Sequence, residues 1–177
     1  MNKGYIFEHE WGESLKLAKQ KLDIWYIKLS DTESYKFKTI CPKCGTWFSP
    51  IASQNLILPK AIADYMAFYD KYTIFMECKK SKGNRFPFRN IKEHQWRWAI
   101  QLSRFPNVKY YFIINDRRVP RNYKCYAVDI KTFDEIAVTE GKMSLSWKQI
   151  ADNSIHVDRL YGRVWDAVKF LEAISNE

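Results

Sequence analysis

Between Asp64 and Lys79 the chain reads Asp-Tyr-Met-Ala-Phe-Tyr-Asp-Lys-Tyr-Thr-Ile-Phe-Met-Glu-Cys-Lys, a stretch that leaves few choices of local structure. Two runs rich in Tyr, Phe, Ile and Met, residues 62–69 and 72–79, flank the pair Asp70-Lys71. That is the pattern of two strands joined by a two-residue turn, although the turn lacks the glycine such turns favour. In a symmetric hairpin on this turn, opposed residue numbers sum to 141, so Tyr69 faces Tyr72, Ala67 faces Ile74 and Asp64 faces Glu77. Opposed side chains share a face with Cβ atoms about 4.5–5.5 Å apart, and like charges there destabilise the sheet. Lys79 lies two residues beyond Glu77 and projects from the same face, while Cys78 points the other way. Two carboxylates and an amine therefore converge at one point of an otherwise apolar hairpin.

Two arrangements relieve that repulsion. In one, Lys79 bridges Asp64 and Glu77 as a cross-strand ion pair. In the other, a divalent cation such as Mg²⁺ or Mn²⁺ joins the carboxylates; Mg²⁺ takes one or two of them, with waters and substrate phosphate oxygens completing its shell. Such an ion orients an attacking water and polarises a phosphoryl oxygen. Lys79 would then hold or help deprotonate that water, or stabilise the charge of the transition state.

The spacing Asp-x₁₂-Glu-x-Lys resembles the PD-(D/E)xK nuclease motif. Its surroundings, Asp64-Tyr65, Tyr69, Tyr72-Thr73-Ile74, Glu77-Cys78-Lys79, Phe86-Pro87, Asn90 and Glu93-His94-Gln95, with Gly4 and Glu8 upstream, are similar to the RecU family of Holliday-junction resolvases. The resemblance covers most of the chain. It implies one α/β nuclease domain over residues 1–177, with residues 36–60 a candidate inserted knuckle or projecting segment, and a restriction-endonuclease-like mixed central sheet flanked by helices. Asp64, Glu77 and the Cys78 carbonyl would hold Mg²⁺ or Mn²⁺, and Lys79 would activate water. Gln95 would orient water or Lys79, and Glu8 on the first helix would support the site. A homodimer acting in the cytoplasm would nick the two equivalent strands of a four-way DNA junction in pairs. The chain departs from the family at Ala67, where Gly is usual, at Ile62-Ala63, and in a Cys-x-x-Cys within residues 36–60. The motif reads a phosphodiester and a metal, not branch geometry. Flaps and duplex DNA are therefore alternative substrates, and a non-catalytic DNA-binding module is a further alternative.

Charge points the same way. The chain carries a formal net charge of +9, which suits a polyanionic partner. From Lys79 to Arg97 there are seven Lys or Arg and one acid, Glu93. Lys80, Lys82, Arg85 and Arg89 in this segment are candidates for gripping the phosphates beside the scissile one. A length of 177 residues with 46% hydrophobic and 28% charged residues fits a folded domain and excludes a disordered chain. No apolar run reaches the roughly 18 residues of a membrane span, and the first residues lack the apolar core of a signal peptide.

Four cysteines do not suggest a disulfide framework in a chain of this kind. Cys41-Pro-Lys-Cys44-Gly has the form of a zinc knuckle, but structural zinc takes four ligands and a second such pair is absent. Free thiols are the expectation for Cys41 and Cys44. The alternatives are a zinc site shared across a two-fold axis, or one completed by Cys125.

The remaining periodicity sketches the other elements. Residues 6–22 form an amphipathic helix, with Phe7, Trp11, Leu15, Ala18 and Leu22 inward and Glu10 on the polar side. Strands are expected over 24–29, 109–115 and 123–130, with a basic turn over 116–121. Asn90, with Glu93 three residues on, predicts a capped helix running to about Arg104. Ile91, Trp98, Ala99 and Leu102 of that helix share a core-facing stripe with Gln95. Short helices are expected over 133–138 and 147–153, and a closing helix over 164–174.

Overall fold

The computed structural model describes residues 5–29, 39–40, 47–48, 61–139, 141–162 and 164–176. The chain divides into two compact units, residues 1–29 with 62–177, and residues 30–61. Within the smaller unit, β2 (Thr39–Ile40) pairs antiparallel with β3 (Trp47–Phe48). Cys41 and Cys44 lie outside the described residues.

The larger unit opens with α1 (Tyr5–Lys19) and β1 (Ile24–Lys28), then resumes with β4 (Tyr65–Tyr69) and β5 (Tyr72–Ser81). It continues through β6 (Arg85–Pro87), a 3-10 turn (Phe88–Asn90), α2 (Glu93–Leu102), β7 (Val108–Asp116) and β8 (Lys124–Asp129). The last elements are α3 (Ile130–Thr139), β9 (Ser144–Ser146), α4 (Trp147–Asp152), β10 (Ile155–Val157), β11 (Arg159–Tyr161), β12 (Val164–Trp165) and α5 (Ala167–Ser175). Six strands form one sheet in the order β1-β4-β5-β7-β8-β10. Only β5 and β7 run parallel; every other neighbouring pair is antiparallel. A parallel pair needs a crossover, and α2 lies within it. This is the mixed sheet flanked by helices that the sequence predicts, and it is consistent with a restriction-endonuclease-like fold. Among the described residues no helix is long and apolar enough to cross a membrane.

Strand alternation divides the core in two. Ile74, Met76 and Cys78 of β5 face a cluster built with Trp11 and Leu15 of α1 and Phe170 of α5. Phe75 of β5, with Tyr110 and Phe112 of β7, faces a second cluster closed by Ala99 of α2, Phe133 of α3 and Trp147 of α4. Covered on both faces, β5 is buried without interruption from Ile74 to Cys78. Local caps fix the peripheral helices. Ser146 Oγ accepts the Gln149 N–H at 3.1 Å while Gln149 Oε1 accepts the Ser146 N–H at 3.0 Å, a reciprocal capping box for α4. Asp166 caps α5 by accepting from the Lys169 N–H.

Several details differ from the sequence reading. The closing helix expected over 164–174 begins at Ala167, and Val164–Trp165 form β12 instead. The helix expected to start at Asn90 starts at Glu93 with Lys92 as its N-cap, and Asn90 ends the 3-10 turn before it. Trp98 is 40% exposed rather than core-facing, and Trp96 packs against Phe88 and Phe133 instead. Glu10 is buried, not on the polar side of α1, because its carboxylate pairs with Arg117 at 2.9 Å.

Gly12 sets how closely α1 approaches the site-bearing hairpin. Tyr65, the first residue of β4, sends its hydroxyl to the Glu8 carbonyl at 2.8 Å. A Cβ on Gly12 would stand 2.6 Å from that same Tyr65 oxygen. Gly12→Ala is therefore expected to cost about 1–3 kcal/mol, the range for overpacking a close contact. Thermal unfolding of Gly12→Ala in the native and Tyr65→Phe backgrounds checks this, because removing the hydroxyl should relieve most of the penalty.

Candidate active site

The hairpin forms in the predicted register. Tyr69 faces Tyr72, Ala67 faces Ile74, and Tyr65 faces Met76. Asp70 takes a positive φ of 53° at the turn, a conformation that Asp tolerates better than most residues. One residue past the last pair the ladder slips. The Asp64 N–H donates to the Met76 carbonyl at 3.1 Å, so Asp64 and Tyr65 both oppose Met76. Such a bulge takes a side chain out of regular alternation. A regular ladder would give the Cys78 N–H to the Ala63 carbonyl; here Asp64 Oδ2 takes it at 2.7 Å. A strand residue directs its N–H and C=O to the same side, so the Cys78 carbonyl faces the side that holds Asp64.

Glu77 and Lys79 project from the other face of β5 than Cys78. The Lys79 ammonium lies 2.8 Å from Glu77 Oε1, with both side chains largely buried. It also donates to Gln95 Oε1 at 2.8 Å. Gln95 in turn donates from Nε2 to Glu77 Oε1 at 2.6 Å and accepts the Lys92 backbone N–H at 3.0 Å. One amide thus holds the acid and the amine, and also satisfies an N–H at the start of α2. Lys79 pairs with Glu77, and Asp64 is held by backbone rather than by a bridging lysine.

Burial makes the carboxylates costly to ionise. Loss of solvent raises the Asp64 carboxyl to about 7, with the Glu77 charge second and Glu8 adding further, against the Cys78 N–H and Lys79. Glu77 is also raised, by burial first, although Lys79 opposes this through its charge and hydrogen bond. Glu8 stands close enough to act on both groups, and its own carboxylate is met by Lys28 at 3.6 Å. Among the described residues, no three His, Cys, Asp or Glu side chains come close enough to hold one ion. Carboxylate oxygens such as those of Asp64 and Glu77 are the hard ligands that Mg²⁺ takes one or two of, with water and phosphate oxygens completing its shell.

The other predicted residues are placed as follows. Lys82 and Arg89 are exposed, and Lys80 is half-buried. Arg85 is exposed but bonded: its Nε donates to Ser144 Oγ at 2.8 Å and its Nη2 to the Ser144 carbonyl at 3.0 Å. Arg85 opens β6, which pairs with β9. Cys78 and Cys125 are buried free thiols. Lys28 and the Glu10–Arg117 pair escape the sequence reading. A signal exists for Glu10, since Phe7, Glu10 and Ser14 recur at spacings of three and four along the buried stripe of α1.

Comparison with known proteins adds two findings. Residues 46–176 match the family described as Recombination protein U. A protein of Mycoplasmopsis pulmonis (strain UAB CTIP) named Holliday junction resolvase RecU is 23% identical over 161 residues, covering 91% of this chain and 92% of its own length.

The raised Asp64 pKa has a definite sign in stability. Between about pH 4 and 7 the folded chain binds a proton at Asp64 that the unfolded chain has released, so stability falls as pH rises through that window and levels above it. A tenfold difference in proton affinity between the two states corresponds to about 1.4 kcal/mol. In metal-free buffer, Asp64→Asn should melt several degrees above the native protein at pH 8 and lose most of that advantage at pH 4. Thermal unfolding against pH measures both.

Proposed function

Because the chain belongs to the Recombination protein U family, we propose that it is a divalent-metal-dependent endonuclease that resolves four-way DNA junctions. The observation that carries the reading is the convergence of Asp64 and Glu77 with Lys79 and Gln95, one half-buried and one buried carboxylate beside an ordered amine. The name of the Mycoplasmopsis relative supports the junction as substrate.

Asp64 and Glu77 would hold Mg²⁺ or Mn²⁺, with the Cys78 carbonyl as a third oxygen. When bound, the cation supplies a polarised phosphoryl oxygen and a more acidic water. Lys79 positions the attacking water and offsets charge as it builds on the phosphoryl oxygens. Gln95 is a positioning residue that keeps Lys79 and Glu77 in one orientation. Glu8, tied to Lys28, supports the site electrostatically and through water. Lys80, Lys82 and Arg89 grip the backbone on either side of the scissile phosphate. A junction presents two equivalent strands, so a two-fold dimer would bring two such sites to it for paired nicks.

Asp64→Asn and Glu77→Gln are expected to abolish nicking of a labelled four-way junction in Mg²⁺, while binding in Ca²⁺ stays near native. Removing a ligand charge removes transition-state stabilisation and leaves the phosphate contacts intact. Full activity in either variant would remove the site. Flap and linear duplex substrates at equal salt test the substrate: a clear preference for either over the junction would replace the resolvase reading with another DNA endonuclease.

Gln95→Leu separates orientation from fold. It should lower kcat at least tenfold with little change in KM, because the amide acts on Lys79 and Glu77 rather than on DNA. Single-turnover nicking measures it, and an unchanged rate would return Gln95 to a helix-capping role alone.

A further inference from the structure

Two basic loops leave the sheet at the same end, one after β5 and one after β7, and a single indole holds both. Trp147 of α4 donates from Nε1 to the Gly83 carbonyl at 2.8 Å, which fixes the loop carrying Lys82. The face of the same ring carries the Arg118 guanidinium at 4.9 Å. Arg118 is further oriented by Asp116, with Nε 3.0 Å from Oδ1 and Nη2 2.8 Å from Oδ2. The Arg117 N–H donates to the Ser81 carbonyl at 2.8 Å, joining the two loops at their bases.

Asp116 is buried, whereas the Arg118 side chain is 37% exposed. One edge of the guanidinium is given to the carboxylate and one face to the indole. Nη1 takes no part in the bonds to Asp116, and the side chain as a whole stays partly open to solvent. A planar, preoriented guanidinium is the preferred partner of a phosphate, and stacking on Trp lowers the entropy lost on binding. Position supports the same ligand. Ser81 and Asp116 are paired in the parallel register, two residues beyond the level of Lys79. At about 3.3 Å per residue that is roughly 7 Å along the sheet, the order of the distance between neighbouring phosphates on one strand.

We infer that Arg118 binds a backbone phosphate neighbouring the scissile one, with Asp116 and Trp147 as its positioning residues. The 117–121 turn then forms a second wall of the DNA cleft opposite the Lys82 loop. This inference rests on the endonuclease reading for its ligand.

The alternative is that Arg118 only neutralises buried Asp116. A charge-neutral double substitution separates the two. Arg118→Gln alone leaves a buried carboxylate unpaired, which endangers the fold. Asp116→Asn with Arg118→Gln removes both charges and keeps a side-chain hydrogen-bonding pair. Affinity for a labelled four-way junction is measured in Ca²⁺ from 50 to 200 mM salt for the native chain and the double variant. A phosphate contact predicts that the double variant loses about one unit of the log–log salt slope although its net charge is unchanged. Its affinity at the low end of the range should fall more than at the high end, by about three- to fourfold in ratio. A slope equal to native overturns the inference and leaves the endonuclease reading standing. A native chain whose binding does not respond to salt overturns the DNA reading itself, and the inference with it.

Discussion

Asp64 and Glu77 repel one another in a place from which water is largely removed, and much of the surrounding structure serves to hold them there. The cost is visible in both carboxyls, each driven toward its protonated form mainly by burial. Several unrelated devices resist the repulsion. A bulge delivers the Cys78 N–H to Asp64, an ammonium and an amide meet Glu77, and Lys28 answers Glu8. Each is a hydrogen bond or ion pair to a charged group, the kind that contributes most in a low dielectric. A site that still retains a carboxyl near pH 7 is not fully neutralised by its own protein. That residual negative potential is what a divalent cation would meet.

Gln95 shows how the local structure of the scaffold and the chemistry of the site share one side chain. Its position three residues inside α2 lets the amide oxygen close the first turn on Lys92, while the same group orders Lys79 and Glu77. The helix start and the site geometry are therefore coupled. Moving the cap by even one residue would turn the amide away from β5, since successive helix positions differ by about 100°.

How much of this is legible in the sequence varies with the physics. The hairpin register is legible because strand alternation has a period of two and the turn is only two residues long, so one assumption places every pair from Tyr69–Tyr72 to Tyr65–Met76. The bulge at Asp64 is not, because it depends on where β4 stops pairing and not on the hairpin itself. The helix start is misplaced because Asn90 and Glu93 fit a capping pattern locally, while tertiary contacts recruit Gln95 to that role. Glu10 reads as solvent-facing because an acid on a helix usually is, and its partner Arg117 lies 107 residues away. Trp147 carries no signal at all, since its role depends on two loops distant in the chain. The family resemblance is carried by the hairpin and its flanks, and the match over residues 46–176 agrees with it.

We propose that Asp64 and Glu77 form a cation site and not a purely structural cluster. Thermal unfolding of the native chain at pH 8, in the absence of DNA and over a series of Mg²⁺ concentrations, tests it directly. A ligand that binds only the folded state stabilises by RT ln(1 + [L]/Kd), so the account predicts a melting temperature that climbs with the logarithm of Mg²⁺ once the site fills, and no comparable climb in Glu77→Gln. A melting temperature that Mg²⁺ leaves unchanged, or raises equally in both proteins, would contradict it.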